Sequence, residues 1–410
     1  MTSRERILTA FEHREPDRVP VDFGGHRSSG IMAIAYAALK RHLGISEGDV
    51  YVFDLIQQLA IVEPAVRERF GADVVQMARG FATEGKCWSD WVLPDGTPCK
   101  VPAHINLGRE GDDWYIYARD GAPIGVQRAG SLYFEQICWP LMDSEDRDFE
   151  DLAGCFDKVI WSAVRALPPP IGLEGEGLAG LKAGAAGLRA STDRAIAGLF
   201  GGNLHEFGQM LFRMDNYLAL LLEDPVRVHR FLDRLVELHM ENLEKYLGAV
   251  GGSIDVIQFG DDLGMQTGPQ ISPRTYDEFY KPRHAALWAR AKELADVKVM
   301  LHCCGGVYEL MPGLIEAGLD AINPVQTTCT GMEPARLKAE FGRDVVFWGG
   351  GCDTRHVLPK GTPDEVRAHV RRMVDILAPG GGFVFQQVHN IQADVPPENV
   401  VAMFEAVNEA

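Results

Sequence analysis

From residue 192 to the C-terminus the chain alternates short apolar runs with helical stretches, and this rhythm narrows the possible folds more than any other feature. The runs are AIAGLF, DVIQFGDD, VKVMLHCCGG, DAINPVQ, DVVFWGGGCD and GGFVFQQVHN. Between them lie a helix from 204, another from 225 to about 249, then YDEFYKPRHAALWARAKEL, YELMPGLIEAG, PARLKAEFG and PDEVRAHVRRMVDILA, with PENVVAMFEAVNE closing the chain. Short apolar strands in series with helices imply a buried parallel sheet. Five or more such units in succession predict an α/β fold of the (β/α)8 TIM-barrel type over an open dinucleotide-binding sheet. No G-x-G-x-x-G follows the first strand, and no GxxxxGK[ST] is present, so neither phosphate cradle is indicated.

The front of the chain is read as helix, strand, helix, helix. A short helix starts at Ser3 and stops before Pro16, and RVPVDFGG is a strand. MAIAYAALKRHL and LIQQLAIVEPAVRERFG are helical, the second kinked at Pro64, and ADVVQM is a strand. Residues 86–145 differ: aromatic and polar residues alternate around Asp95-Gly96 and Asp120-Gly121, which is hairpin chemistry. The expectation is one barrel domain over 1–410 with a β-rich insertion at 86–145. That insertion is either a structural flap or a lid bringing Trp91, Trp114 and Tyr115 to a pocket. Residues 165–190 are read as loop and linker around one helix.

Composition removes several function classes. With 40 Lys+Arg against 58 Asp+Glu, the formal net charge is -18 and no basic tract exists, which argues against nucleic acid and anionic membranes. No apolar run approaches the roughly 20 residues of a membrane span. The N-terminal stretch is charged and lacks a secretion signal's apolar core, and eight cysteines show no disulfide framework. A reducing cytoplasm is the expected compartment.

In such barrels the chemistry sits where strands end. Polar residues follow the apolar runs there: Asp22 and His26, Asp261 and Asp262, His302 and Cys304, Asn323 and Gln326, Cys352 and Asp353, His389 and Asn390. Alternation along a strand puts His302 and Cys304 on one face and Cys303 on the other. An imidazole and a thiolate two residues apart make half of a zinc site. Cys352 and His389 are candidates for a third ligand, with Gln326 and Asp262 as oxygen alternatives. His389 and Asp262 are also read as acid/base groups. Asp261-Asp262 either bind substrate or cap the next helix. For His205-Glu206 a capping role stands beside substrate binding.

Several segments resemble the uroporphyrinogen decarboxylase superfamily. FVFQQVHNIQADVPPENV is similar to its closing segment, FWGGGCDTRHVLPKGTPDEV to its turn before a late helix, and SPRTYDEFYKPRHAALWARAK to a family hallmark. TSRERILTAFEHREPDRVPV looks like the start of the methyltransferase-like branch. The decarboxylase proper carries an arginine-rich turn after its first strand; here that place reads DFGGHRSSGIM, with Arg27 alone. The other branch moves methyl groups to or from a corrinoid protein and uses zinc held by His-x-Cys and a later Cys. The resemblance therefore implies zinc at His302, Cys304 and Cys352. It implies catalysis by His389 and Asp262, and substrate contacts from His26, Asp54, Asn323 and Gln326. In the place it assigns to the family's later cysteine this chain has Gly381. It further implies a corrinoid (cobalamin) carried by a separate partner protein, a small methoxylated or methylated donor, and a barrel compatible with a homodimer. A porphyrinogen-type decarboxylase and a non-catalytic tetrapyrrole- or corrinoid-binding barrel are the alternatives.

Overall fold

The computed structural model describes residues 1–77, 85–163 and 173–410. Seven parallel strands form its central sheet: β1 (Val74–Gln76), β2 (Ala195–Gly201), β3 (Val256–Gly260), β4 (Lys298–His302), β5 (Ala321–Asn323), β6 (Val346–Trp348) and β7 (Phe383–Val384). Each pairs with its sequence neighbours in order. The predicted first strand is reduced to a bridge, yet it closes the ring. Val21 pairs in parallel with Phe385, and the Asp73 N–H donates to the Val21 carbonyl at 2.7 Å. The chain at 20–22 is thus the eighth stave, and the sheet is a closed (β/α)8 barrel without free edges.

Residues of one parity line the interior: Val74, Ala195, Ala197, Val256, Met300, Ala321, Val346, Trp348 and Val384 are buried together. Helix Ser3–Phe11, begun by a Thr2/Glu5 capping box, plugs one end with Ile7, Ala10 and Phe11. At that end acids just before strands tie the staves together. Asp73, Asp255 and Asp320 accept the N–H groups of Val21, Ile196 and Val299 at 2.9, 2.8 and 2.7 Å. Arg6 and Arg18 neutralise the first, Arg4 and Arg189 the second, Lys292 the third. This is the end of a barrel where residues serve stability.

Two readings of the front need correction. Leu55–Val62 is not helical: Val52–Asp54 and Leu59–Ala60 pair antiparallel. Pro64 starts a helix (Pro64–Arg69) instead of kinking one, because its fixed φ and missing N–H suit the first helical turn. The Gly/Ala-rich stretch is mostly helix, Gly175–Ser191; the part of the predicted linker at 165–172 lies outside the described residues.

Between β1 and β2 the described chain carries antiparallel strands, Trp88–Val92 with Pro98–Pro102, and Leu107–Glu110, Asp113–Tyr117, Pro123–Gln127 and Glu135–Gln136 in one sheet. Gly96 and Gly121 sit in their turns at φ 86° and 84°, which a side chain would strain. No helix of the described residues is long and apolar enough to cross a membrane.

Candidate metal and substrate site

Strand register builds the site. Gly260 pairs with His302, and His302 with Asn323, so three strands end side by side. His302 follows Met300 in parity and faces the barrel axis, as the alternation predicts. Cys303 is fully buried in the outer layer, where its Sγ accepts from the Leu263 N–H at 3.3 Å.

The tautomer of His302 follows from its neighbour. Asn323 Nδ2 lies 2.8 Å from the Trp348 carbonyl, which can only accept, so the amide nitrogen is fixed at that end. Its Oδ1 then accepts from Ser28 Oγ at 2.9 Å and from His302 Nδ1 at 2.9 Å. His302 carries its proton on Nδ1 and presents a bare Nε2, 3.4 Å from Cys304 Sγ. Such a partner behind a ligating imidazole is what metal sites use to fix the ring.

A third group completes the cluster. One ligand atom each from His302, Cys304 and His389 lies within 4.8 Å of the others. The two imidazole rings are 5.6 Å apart between centroids. Burial, helped by the charge of His302, pushes the His389 pKa down to about 4, and burial also lowers His302. Both rings are therefore neutral, with lone pairs available, at neutral pH. Burial and the nearby Asp262 carboxylate push the Cys304 thiol well up. A bound cation reverses that preference, because a coordinated thiol loses its proton. The donor set fits zinc with an open position.

Acids flank the cluster with divided roles. Asp261 is buried and caps helix His205–Phe212, accepting the His205 and Glu206 N–H groups at 3.0 and 2.9 Å. Burial opposes its charge, yet hydrogen bonding from His284 holds its pKa below the ordinary value. Asp262 turns to the cluster: its Oδ1 accepts the Cys304 N–H at 2.7 Å and lies 3.8 Å from His302 Nε2. Glu206 stands beside it. Burial, with Asp262 and Asp261 close by, pushes the Glu206 carboxyl well up, against the Asn203 amide that donates to its Oε2.

Other expected site residues take different places. Cys352 belongs to the apolar outer layer, fully buried, with its thiol pushed up by burial; it is not in the cluster, and His389 takes the third position. Gly381 lies at the plugged end of β7, far down the strand from His389. It has φ +75°, and a Cβ there would come 2.4 Å from the Arg14 carbonyl oxygen, so no ligand can stand at 381. Asn323, expected to touch substrate, is fully buried with its amide shared among His302, Ser28, Trp348 and Gln386. His26 is likewise buried, its Nε2 3.0 Å from Asp22 Oδ2 but off hydrogen-bond alignment, and its ring is edge-on to Trp348. Asp54 is buried, with Arg27 Nε on one oxygen at 2.6 Å and the Gln57 N–H on the other at 3.0 Å. Gln326 stays half-buried at the rim and accepts the Gly305 N–H at 2.6 Å, holding the turn after Cys304.

Trp91 and Trp114 of the insertion are engaged elsewhere. Trp91 and Trp114 pack on each other, 4.2 Å between centroids. They line a separate groove of about 1130 Å3 against helix Ala33–His42. The indole near the site is Trp161, 5.6 Å from the Arg27 guanidinium. Glu206 had been read, with His205, as a capping or substrate-binding residue, whereas Ser28 and Gln386 were not singled out from sequence; only the amide pair inside FVFQQV signalled polar groups in an apolar strand.

Comparison with known proteins places this geometry. Residues 179–410, more than half of the chain, match the family model for uroporphyrinogen decarboxylase (URO-D). The uroporphyrinogen decarboxylases of Psychromonas ingrahamii and Pseudomonas fluorescens (strain Pf0-1) are each 28% identical, over 45% and 47% of this chain and 49% and 50% of theirs. The chain thus spans about half the length of the curated relatives it matches. A solved methyltransferase from Methanosarcina mazei aligns over 100% of this chain and 99% of its own, with a TM-score of 0.59 and 18% identity, and so shares the fold. The chain belongs to the uroporphyrinogen decarboxylase family.

Proposed function

We propose that this protein is a methyltransferase of the methyltransferase-like branch of the family. In this reading it takes a methyl group from a small methoxylated or methylated compound and passes it to the corrinoid of a separate partner protein. The observation that carries the reading is the His302–Cys304–His389 cluster at the strand ends, with its His302 lone pair aimed inward by Asn323. Polycarboxylate binding calls for several free cations, whereas Arg27, left alone in the first turn, already has a carboxylate partner in Asp54.

His302, Cys304 and His389 would hold zinc, which when bound supplies Lewis-acid polarisation of the oxygen or nitrogen that bears the methyl group. The chain's own groups do the rest. Asn323 and Ser28 keep His302 in register. Asp262 holds the Cys304 backbone and with it the thiol's position. Glu206, protonated and next to Asp262, is the proton source for the heteroatom that gives up its methyl group. Such a proton matters because the leaving alkoxide, phenolate or amine is a poor leaving group without it.

The test is turnover. Zinc-loaded protein is expected to transfer methyl groups from at least one donor in a panel of methoxyarenes and methylamines to cob(I)alamin or a corrinoid protein, and Glu206→Gln is expected to slow it by roughly 100-fold. Decarboxylation of uroporphyrinogen without methyl transfer would make it a decarboxylase instead. Tight tetrapyrrole binding without either reaction would make it a carrier.

A further inference from the structure

Two residues on from Val74, Val256, Ala321 and Val384 stand Gln76, Gln258, Asn323 and Gln386, in or just past β1, β3, β5 and β7. The first four residues line the barrel interior, while Val75, Ile257, Ile322 and Phe385 between the two sets belong to the outer layer. Alternation therefore turns all four carboxamides inward. Alternate strands contribute one layer of four side chains in such a barrel. On these strands an apolar layer thus gives way to one made wholly of carboxamides, none more than 4% exposed.

The layer is divided. Asn323 Nδ2 donates to Gln386 Oε1 at 3.1 Å, Gln386 Nε2 to Ser28 Oγ at 2.7 Å, and Ser28 Oγ to Asn323 Oδ1 at 2.9 Å. That closed ring is the half that holds His302. Gln76 and Gln258 form the other half, flanking β2 through Ala197 and Leu199. Oε1 of each is buried with no hydrogen-bond partner among the described residues. Such atoms cost stability, and the apolar side chains used further down the same strands would avoid that cost. Gln258 pairs with Met300, two residues before His302 on β4, so the open amides lie one level below the metal-ligand cluster. A carboxamide offers a donor end and an acceptor end and carries no charge. Inside the barrel the Asp22 carboxylate accepts from Trp348 Nε1 at 2.9 Å, and Asp262 stands at the mouth; both would repel a ligand anion placed against the amides. A hydroxyl, which donates and accepts, satisfies the two amides at once.

We infer that Gln76 and Gln258 determine the specificity of this site, binding an uncharged hydroxyl group of the methyl donor while its methyl-bearing atom lies at the His302–Cys304–His389 cluster. The donor is then a neutral hydroxylated compound and not an acid. This rests on the methyl-transfer reading, whose failure is separately visible.

The experiment is calorimetric binding to zinc-loaded protein of the methoxyphenols, each compared with the methoxytoluene of the same pattern, where a methyl replaces the hydroxyl, and with the matching methoxybenzoate. At least one phenol is expected to bind roughly 10- to 100-fold more tightly than its toluene and more tightly than its benzoate. Gln76→Leu and Gln258→Leu are each expected to reduce that preference with zinc content unchanged. Because each removes a buried amide with an unpartnered oxygen, each is also expected to melt at or above the wild-type temperature, which amides serving the fold alone would not allow. No preference for the hydroxyl, tighter binding of the benzoate, or a preference untouched in both variants overturns the assignment. A variant that fails to fold shows the amides to be structural and overturns it as well. Binding is read without turnover, so a hydroxyl preference without methyl transfer counts against the proposed function alone. Methyl transfer without a hydroxyl preference counts against the two glutamines alone.

Discussion

At the scale of single residues, the site depends on side chains that never meet a ligand. Asn323 is the clearest: its buried amide sets which nitrogen of His302 carries the proton. Asn323→Leu keeps the volume and removes the acceptor. Zinc affinity, measured by competition with a chromophoric chelator, is expected to weaken by about 10- to 100-fold in that variant. An affinity equal to wild type would show that Asn323 does not orient the ring. The motif H-x-C was readable because strand alternation is a strict rule of two. The role of Asn323 was not, since a strand-end amide looks the same in sequence whether it faces a substrate or a neighbouring strand. Cys352 misled for a different reason: it shares the parity of the interior residues Val346 and Trp348, but it lies past the strand's end and past Gly349 and Gly350, whose positive φ breaks the alternation, and it is buried in the outer layer.

At the scale of elements, the long helix Pro225–Val250 carries a buried titratable group with no place in the chemistry. His239 lies among Phe156, Phe200 and Phe207, with ring centroids 6.4, 6.4 and 5.8 Å away, and its Nε2 donates to the Asn203 carbonyl at 3.1 Å. Burial pushes its pKa down to about 4, against about 6.5 in an unfolded chain. Between those values the unfolded state binds a proton that the folded state does not, so stability falls as pH is lowered through that window. The contribution is about 1.4 kcal/mol per pH unit. Urea unfolding at pH 7, 6 and 5 is expected to show this loss, and His239→Gln, which keeps a donor but does not titrate, is expected to flatten it by about that slope. An unchanged pH dependence in the variant would rule His239 out as the source.

At the scale of the whole molecule, the barrel itself was legible, because the βα rhythm from 192 onward forces a parallel sheet and the strand ends collect the polar residues. Its first stave was harder to read. Residues 20–22 pair through a few backbone hydrogen bonds, so RVPVDFGG has strand composition without a strand's ladder. The third ligand was read at Cys352, with His389 as the other candidate, and His389 is the one that joins the cluster; Gly381, the place the resemblance assigns to a cysteine, lies at the opposite end of β7. The architecture resolves this: one end is plugged by helix Ser3–Phe11 and tied by Asp73, Asp255 and Asp320, and the other gathers His302, Cys304 and His389. The most direct measurement of this account is zinc stoichiometry, by plasma emission, of wild type and four alanine variants. Near one zinc per chain is predicted for wild type and for Cys352→Ala, and loss of the metal for His302→Ala, Cys304→Ala and His389→Ala. A wild-type protein that takes up no zinc, or a metal kept by His389→Ala and lost by Cys352→Ala, would contradict it.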